Sequence, residues 1–264
     1  MKVPVYGPNG TEKGSVSLGK AFAQPVRLDI IQRAVASEQS RQRHAFGTDW
    51  FAGKRTSAHY HGERGVYMSM MGKEMARLPR IHGHAGHLFF TARFAPQTRK
   101  GRRTHPPKPE KVFDKQINQK EYLKAFFAAL SASVSMDYVR SRGHAVDGIK
   151  HLPIIVTDEI ETTAKAKDAL ALLAGIGLEN EIERAKGRKR IASGKRRGRA
   201  FKRRKGILVV LKDAKGRKAF ANIPGIDAVQ PSQLTVSMLA PGGMPGRLLL
   251  VSQAALVEIE GRFK

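Results

Sequence analysis

The segment Leu152-Pro153-Ile154-Ile155-Val156-Thr157 decides the fold class of this chain of 264 residues. Its short, continuous apolar run predicts a strand that is buried on both faces of a sheet. A helical pattern follows, in which Thr162 or Thr163 could cap a helix that runs through Leu173. Gly175 would stop that helix. The sequence therefore predicts a buried strand followed at once by a helix.

Three more apolar runs repeat this pattern towards the C-terminus. Residues 207–211 and 226–229 predict two further strands, and residues 248–251 predict a last one that leads into a helix over residues 253–260. Strands that alternate with helices are typical of a parallel α/β sheet that is covered on both faces. The predicted fold class is therefore α/β.

Three segments nearer the N-terminus also carry regular apolar patterns. Val3 and Val5 precede the turn sequence Tyr6-Gly7-Pro8-Asn9-Gly10, which predicts a short strand and a hairpin. Pro25 then opens a helical pattern, and residues 119–130 carry another with one apolar face. Structured elements are thus expected at both ends of the chain.

The net charge points to a polyanionic partner. Lys and Arg number 48 against 22 Asp and Glu, which gives a formal charge of +26. A protein with this charge repels itself, and nucleic acid is the most common partner for such a balance. An apolar share of 41% is enough for a folded core and excludes a wholly disordered chain.

Cysteine usage and hydropathy narrow the class further. The chain has no cysteine, which excludes disulfides, thiolate metal sites and a cysteine nucleophile, and fits a reducing compartment. No apolar run approaches the roughly 18 residues of a membrane span, and the first ten residues have no signal-peptide core. We therefore expect a cytoplasmic protein that has no membrane partner.

The densest positive charge lies in residues 184–205, where 13 of 22 residues are Lys or Arg and none is acidic. Each phosphate that such side chains neutralise releases counterions, which gives strong, salt-sensitive affinity. The alternatives are a solvated charged face or a nuclear localisation patch. The candidate RNA-binding residues of this tract are Arg188, Lys189, Arg190, Lys195, Arg196, Arg197, Arg199, Lys202, Arg203, Arg204 and Lys205.

A second basic segment covers residues 37–109, where apolar periodicity fails. Between Arg64 and Pro109 there are ten Lys and Arg and a single acid, Glu74, with aromatic residues interleaved. This mixture suits irregular RNA, whose unstacked bases meet aromatic rings and guanidinium planes. The alternative is a disordered segment. Its candidate RNA-binding residues are Arg64, Arg77, Arg80, Arg93, Arg99, Lys100, Arg102, Arg103 and Lys108.

Two histidine-rich stretches suggest a metal tract, namely His82-Gly83-His84-Ala85-Gly86-His87 and His59-Tyr60-His61. The first stretch has no cysteine, no nearby carboxylate and no recognisable rigid element that would fix ligand geometry, and the second stretch is interpreted in the same way. Histidines can equally stack on RNA or donate hydrogen bonds to it. The sequence analysis therefore predicts no metal site and no cofactor.

An enzyme is the rival class. Asp158, Glu159 and Glu161 follow a predicted strand, at the edge where α/β sheets often place active sites, and could hold a metal for nucleic-acid processing. No nucleophile elbow, P-loop or dinucleotide-binding glycine pattern accompanies them. The preference of a solvated first helical turn for acids explains them equally well. We therefore predict no catalytic residues and no small-molecule substrate.

Several motifs together resemble one known family. They are Gly72-Lys73-Glu74-Met75-Ala76-Arg77-Leu78-Pro79-Arg80, Gly101-Arg102-Arg103-Thr104-His105-Pro106-Pro107-Lys108, Ser193-Gly194-Lys195-Arg196-Arg197-Gly198-Arg199, Asn222-Ile223-Pro224-Gly225-Ile226 and Leu239-Ala240-Pro241-Gly242-Gly243-Met244-Pro245-Gly246-Arg247-Leu248. In this order they resemble large-subunit ribosomal protein four, in its archaeal and eukaryotic branch. The resemblance covers nearly the whole chain.

That resemblance implies an architecture and a role. Residues 1–36 and 113–264 would form a three-layer α/β/α domain with a four-stranded parallel sheet, and residues 37–112 would form a long extended basic loop that penetrates the rRNA. The loop tip, Met71, Gly72, Lys73 and Glu74, would line the nascent-peptide exit tunnel. Lys73-Glu74 departs from the family, which commonly has Gly-Arg and a small residue there.

The implied partners are large-subunit rRNA, neighbouring large-subunit ribosomal proteins and the nascent polypeptide. The implied function is that of a structural constituent that supports subunit assembly. A free RNA-binding chaperone, or a regulator of its own message, is the alternative within the RNA-binding class. Stable residence in a ribosomal particle would separate the two.

Overall fold

The computed structural model describes residues 1–83, 86–191, 198 and 200–262. The chain divides into two compact units. The first unit consists of residues 1–42 and 114–264, and the second consists of residues 43–113.

A six-stranded sheet forms the centre of the first unit. In chain order its strands are β1 (Lys2–Tyr6), β2 (Glu12–Ser17), β3 (Ile154–Val156), β6 (Leu208–Val210), β7 (Asp227–Val229) and β8 (Leu249–Ser252), while β4 (Arg188–Arg190) and β5 (Phe201–Arg203) form a separate two-stranded sheet. The order across the large sheet is β2-β1-β3-β8-β6-β7. All neighbouring pairs in it are parallel except β1 with β2.

The α/β class is confirmed, but the expectation of a four-stranded sheet is wrong. The N-terminal hairpin does not stand apart, because β1 pairs in parallel with β3 through Val5 and Ile155. Val3 and Val5 are both buried. The alternating pattern of β1 therefore places these two side chains on a sheet face that would be exposed if the hairpin stood alone. The sheet thereby gains two strands.

Eight α-helices accompany the strands in the part of the chain that the structure describes. They are α1 (Leu28–Arg41), α2 (Gln119–Val134), α3 (Met136–Ser141), α4 (Ala166–Gly175), α5 (Glu179–Lys186), α6 (Ala214–Ala221), α7 (Val236–Leu239) and α8 (Gln253–Gly261). The helices predicted near residues 25–34, 119–130 and 253–260 are confirmed. Helices α3, α5, α6 and α7 were not predicted.

The predicted threonine cap of α4 is wrong. Thr162 instead ends a 3-10 helix, Asp158–Thr162, and its hydroxyl donates to the carbonyl of Glu159 at 2.8 Å. Helix α4 begins only at Ala166, and no side chain caps it. It does end at Gly175, as the glycine predicted.

Alternate side chains of each strand enter two different cores. Ile155 and Val251 lie in one core with residues of α1, α2, α7 and α8. Ile154 and Leu250 lie in the other core with residues of α4, α5 and α6. Helices therefore cover both faces of the sheet, as the continuous apolar runs of its strands require.

The second unit is built mainly from turns. Between residues 43 and 113 the described regular structure is one 3-10 turn, Gly86–Leu88, and the isolated bridges His59↔Arg80 and Arg80↔Ala92. Its buried apolar residues are few, with Met70 and Ile81 the largest. Short backbone pairings, rather than a large core, hold this unit together.

Candidate nucleic-acid interface

The basic tract of the first unit forms a β-hairpin. Strand β4 pairs antiparallel with β5, so that Arg188 lies opposite Arg203 and Lys189 lies opposite Lys202. All six strand residues are exposed, and five of them are Lys or Arg. Like charges that lie directly across a ladder repel each other. This hairpin is therefore suited to a polyanion that neutralises both strands at once.

A cleft of about 770 Å³ lies beside the hairpin. One side of it is formed by the turn that contains Pro241, Gly242 and Met244. Its cationic lining consists of Arg142, Arg184, Lys189, Lys202, Arg203, Arg204 and Lys205. Among the described residues, no carboxylate belongs to the lining. The arrangement can hold several phosphate groups in one place.

A buried glutamate anchors one end of this cleft. Glu181 of α5 is fully buried, and its carboxylate accepts hydrogen bonds from Arg184 at 2.6 and 2.7 Å. The His144 ring lies 2.7 Å away, and the backbone N–H of Ala145 donates at 2.9 Å. Arg184 in turn donates to the carbonyl of Lys205 at 3.0 Å. Glu181 thus ties α5 to the segment that follows the hairpin.

The protonation of Glu181 follows from these contacts. Burial alone would raise the pKa of the carboxyl group, but hydrogen bonds from Arg184, His144 and Ala145 outweigh burial and hold the pKa at about 2. The backbone N–H of Leu248 donates to Nε2 of His144 at 3.4 Å, so the other ring nitrogen carries the proton that Glu181 accepts. Glu181 is therefore an ionised acid inside the fold.

A second set of ion pairs, centred on the half-buried Asp227, fixes the base of the hairpin segment. Asp227 accepts from Arg247 at 2.6 Å and from the Lys205 ammonium at 2.8 Å. Burial would raise the pKa of Asp227, but these two cations lower it overall. Arg247 is almost fully buried and also donates to the carbonyls of Gly206 and Met238, at 2.8 and 3.0 Å. Residues 205–206 are therefore held firmly.

Arg142 is a cleft residue that sequence reasoning missed. It lies just after α3, far from either basic tract in sequence, and donates to the carbonyls of Met244 and, at 2.8 Å, Pro241. Burial, followed by the positive charges of Arg247 and Arg184, lowers its pKa. The cations of the cleft thus repel one another, and a bound anion would relieve this. No local sequence signal distinguishes Arg142 from a surface arginine.

Gly246 is required where the chain leaves the cleft. Its φ is +93°, and an added Cβ would overlap the carbonyl of Tyr138. We expect Gly246→Ala to lower the free energy of unfolding by about 1–3 kcal/mol, because an L-residue is strained at this φ. Urea denaturation followed by circular dichroism measures this. Gly14→Ala, which meets open space, should change stability by less than about 0.5 kcal/mol; equal losses would contradict the argument.

Most of the RNA-binding residues predicted for the second unit are exposed. Arg93 and Arg102 are half-buried. Arg80 is buried, and its guanidinium donates to the carbonyls of Phe90 and Ala76 at 3.0 and 2.9 Å, so it supports the fold of this unit. The exposed residues are Arg64, Arg77, Arg99, Lys100, Arg103 and Lys108.

The hairpin residues of the first unit follow the same pattern. Arg188, Lys189, Arg190, Lys202, Arg203, Arg204 and Lys205 are all exposed. Lys205 also pairs with Asp227, as described above. Lys195, Arg196, Arg197 and Arg199 lie outside the described residues, as does His84.

Aromatic rings lie among the charges of the second unit. Trp50, Phe51 and Tyr67 expose more than 60% of their surface. A cleft of about 310 Å³ is lined by Trp50 and Phe94 together with four cations, one acid and several prolines; the charged residues are Lys54, Arg102, Arg103, Lys108 and Asp49. Flat apolar walls with a cationic rim fit an unstacked base and its phosphate.

The backbone of the second unit carries unusual strain. Met68, Phe90, Phe94 and Lys100 have positive φ, and they are the described non-glycine residues that do so. Bulky residues adopt this conformation at a cost of roughly 1–3 kcal/mol each. Such a segment benefits from a partner that stabilises it.

The predicted tip residues are exposed. Met71, Gly72, Lys73 and Glu74 form a turn in which Gly72 has a φ of +71°. The Lys73 ammonium lies 4.5 Å from the centre of the Phe90 ring. The neighbouring Met70 is buried and anchors the turn.

The acids considered for an enzyme have structural roles. Asp158 accepts from the backbone N–H of Ala254 at 2.8 Å, and Glu159 pairs with Lys13 at 2.8 Å on the surface. Glu161 is buried, not solvated as expected. It accepts from Ser252 and from the backbone N–H groups of Lys212 and Asp213. The hydrogen bonds of these three acids are thus made within the fold rather than with a substrate.

No helix in the described ranges is both long and apolar enough to cross a membrane. The α/β fold and the two cationic clefts together define a class of protein whose surface is suited to a polyanion such as nucleic acid. Comparison with known proteins makes this class specific.

The family described as "Ribosomal protein L4/L1 family" matches residues 16–262. Large ribosomal subunit protein uL4 of Methanococcus aeolicus is 39% identical over 266 residues, with 100% of both chains covered. The uL4 of Methanopyrus kandleri is 38% identical over 99% of both chains. That of Aeropyrum pernix is 40% identical over 99% of this chain and 93% of its own.

The chain therefore belongs to the ribosomal protein L4/L1 family. The resemblance inferred from the sequence motifs is confirmed. The chain is therefore a structural ribosomal protein and not an enzyme.

Proposed function

We propose that this protein is a structural constituent of the large ribosomal subunit and binds its rRNA through two cationic surfaces. The relatives named above are large ribosomal subunit proteins that align with this chain from end to end. The observation that carries the proposal is the cleft beside the β4–β5 hairpin. In the part of the chain that the structure describes, this cleft gathers seven Lys and Arg side chains and no acid lines it.

The binding mechanism is electrostatic and preorganised. Glu181 and Asp227 fix Arg184 and Lys205, so two of the cleft cations are held in place before RNA arrives. The exposed hairpin cations neutralise phosphates and release counterions. Ordering fewer side chains on binding leaves more of the interaction energy for affinity.

The second unit supplies a different kind of contact. Its cleft between Trp50 and Phe94 would receive an unstacked base, while Arg102, Arg103 and Lys108 contact the neighbouring phosphates. We propose that residues 37–112 act as an extended insertion in a globular domain made of residues 1–36 and 113–264, and that this insertion penetrates folded rRNA during subunit assembly. The four residues of positive φ would then be stabilised by RNA.

We further propose that Met71, Gly72, Lys73 and Glu74 line the nascent-peptide exit tunnel. Their exposure at a turn next to the buried Met70 supports this role. A photo-crosslinking amino acid at Lys73, in subunits that carry a stalled nascent chain, should capture that chain. The same group at Lys215, on the first unit, serves as the control. Absence of crosslinks from position 73 would contradict the tunnel role.

Sedimentation of the tagged chain tests the proposal as a whole. We expect stoichiometric comigration with large subunits that survives a wash at high salt, because an integral protein is held by many simultaneous contacts. Release at high salt alone would favour a loosely bound RNA chaperone or regulator. Migration at the top of the gradient in both salts would refute the ribosomal assignment.

A further inference from the structure

Three histidines from separate parts of the second unit meet in one place. His59 and His61 come from one segment and His82 from another, yet their ring centres lie 4.3 to 4.5 Å apart. One ring nitrogen from each lies within 4.8 Å of the others. We propose that His59, His61 and His82 bind one divalent transition-metal ion, with Zn²⁺ as the expected occupant.

The backbone holds these histidines more firmly than the sequence suggests. His59 and Arg80 exchange two backbone hydrogen bonds, at 3.1 and 3.0 Å. The backbone N–H of Met70 donates to the carbonyl of His61 at 3.0 Å, and Met70 is buried. The sequence predicted no metal site, partly because it indicated no rigid element around these histidines. The paired backbone supplies that element.

Two backbone carbonyls set the orientation of two of the rings. Nδ1 of His59 lies 3.0 Å from the carbonyl oxygen of Ser57, and Nε2 of His82 lies 3.3 Å from the carbonyl oxygen of His59. A carbonyl only accepts, so each of these nitrogens carries the proton. The opposite nitrogens, Nε2 of His59 and Nδ1 of His82, are left with lone pairs. Metal-binding histidines are commonly oriented by carbonyls in this way.

Two of the nitrogens are buried without a partner. Nδ1 of His61 and Nδ1 of His82 have no hydrogen bond to any residue that the structure describes, although solvent does not reach either atom. An unsatisfied buried polar group costs roughly 1–3 kcal/mol. A metal ion would satisfy both nitrogens at once, which is the independent observation that points to a ligand.

The ligand set determines the class of ion. Three imidazoles and no carboxylate suit zinc, copper, nickel or cobalt, and do not suit magnesium or calcium. Tetrahedral zinc with bonds of about 2.0 Å places its nitrogens about 3.3 Å apart, so small ring rotations from the present spacing complete the site. The fourth position would be open to water or to an oxygen of a neighbouring phosphate.

Nearby cations oppose this binding. The Lys73 ammonium lies over the Phe90 ring, whose edge contacts His82 at 5.7 Å between ring centres, and Arg80 donates to the carbonyl of Phe90. These charges disfavour a naked divalent ion. An anionic fourth ligand, such as hydroxide or an RNA phosphate oxygen, offsets them.

Cobalt titration of the full chain tests the proposal. Co²⁺ bound by three imidazoles absorbs visible light, so we expect a band that saturates at one ion per chain and disappears when Zn²⁺ is added. His82→Asn and, separately, His59→Asn should weaken Co²⁺ binding by more than about 100-fold, since loss of an outer-shell partner alone costs 10- to 100-fold. Circular dichroism verifies that each variant is folded.

His105→Asn is the matched control, because His105 is exposed in the same unit and lies outside the cluster. It should bind Co²⁺ like the unmodified chain. The titration is repeated with the chain bound to transcribed rRNA, so that a unit that needs RNA to fold is tested in its folded state.

The absence of a saturable band in both preparations would overturn the proposal, as would equal losses in all three variants. The histidines could instead stack on RNA bases. In that case His82→Asn would weaken rRNA binding to the same extent with and without Zn²⁺, and no cobalt band would appear.

Discussion

Replacing Lys189, Lys202, Arg203 and Arg204 with glutamine is expected to lower affinity for large-subunit rRNA by about 100- to 1,000-fold at moderate salt. All four side chains line the cleft and are exposed. Each phosphate contact that is lost should also reduce the salt dependence, so the slope of log affinity against log salt should fall by about three to four. Filter binding to transcribed rRNA over a range of salt measures both quantities.

A different set of four residues, all of them lysines, provides the control. Lys165, Lys167, Lys215 and Lys218 are exposed on the first unit and do not line the cleft. Their replacement by glutamine removes the same charge, and we expect a change in slope of less than about one. If both quadruple variants lose the same affinity and slope, binding follows net charge and the cleft has no special role.

The sheet could be predicted as far as its strands are continuous apolar runs. These strands are buried on both faces of the sheet, at residues 154–156, 208–210 and 249–252. A strand buried on both faces is apolar throughout, so its sequence alone predicts it. The position of β1 in the sheet was not predictable, because its partner β3 lies about 150 residues away and nothing in the sequence of either strand identifies the other as its partner. Local patterns determine strands, whereas strand order depends on distant packing.

The basic tract could be recognised in the sequence as a dense cationic segment, but its hairpin could not be predicted. Lys and Arg are poor strand formers, and the pairs Arg188 with Arg203 and Lys189 with Lys202 repel each other. Contacts at its base hold the pairing instead, namely those of Arg184 with the carbonyl of Lys205 and of Lys205 with Asp227. Those contacts join segments that are separate in sequence.

The histidine cluster, too, depends on contacts between distant segments that local sequence patterns do not predict. Sequence reasoning grouped His82 with His84 and His87 because they are adjacent, and grouped His59 with His61 separately. The structure brings His82 to the other pair, through the bridge between His59 and Arg80. Spacing along a loop carries no information about such a bridge, so the cluster could not be read from the sequence.

Glu181→Gln is expected to lower the free energy of unfolding at neutral pH by about 3 kcal/mol, because it removes the ionised partner of the half-buried Arg184. Nothing in the polar sequence of α5 marks this residue as buried. Its neighbour Glu183 is exposed on the same helix, so Glu183→Gln is the control and should change stability by less than about 0.5 kcal/mol. Urea denaturation followed by circular dichroism is the measurement, since the single tryptophan, Trp50, lies in the second unit.

The pH dependence of this loss identifies its cause. The carboxyl of Glu181 has a pKa of about 2 in the folded protein against an ordinary value of 4.5. A lowered pKa stabilises the fold above pH 4.5, and that stabilisation, about 3 kcal/mol, is lost as the pH falls towards 2. The difference in stability between the unmodified chain and Glu181→Gln should therefore be constant above about pH 5 and shrink below pH 4.5. A difference that stays constant down to pH 3 would mean that shape, and not the ionised carboxylate, holds Arg184 at the cleft.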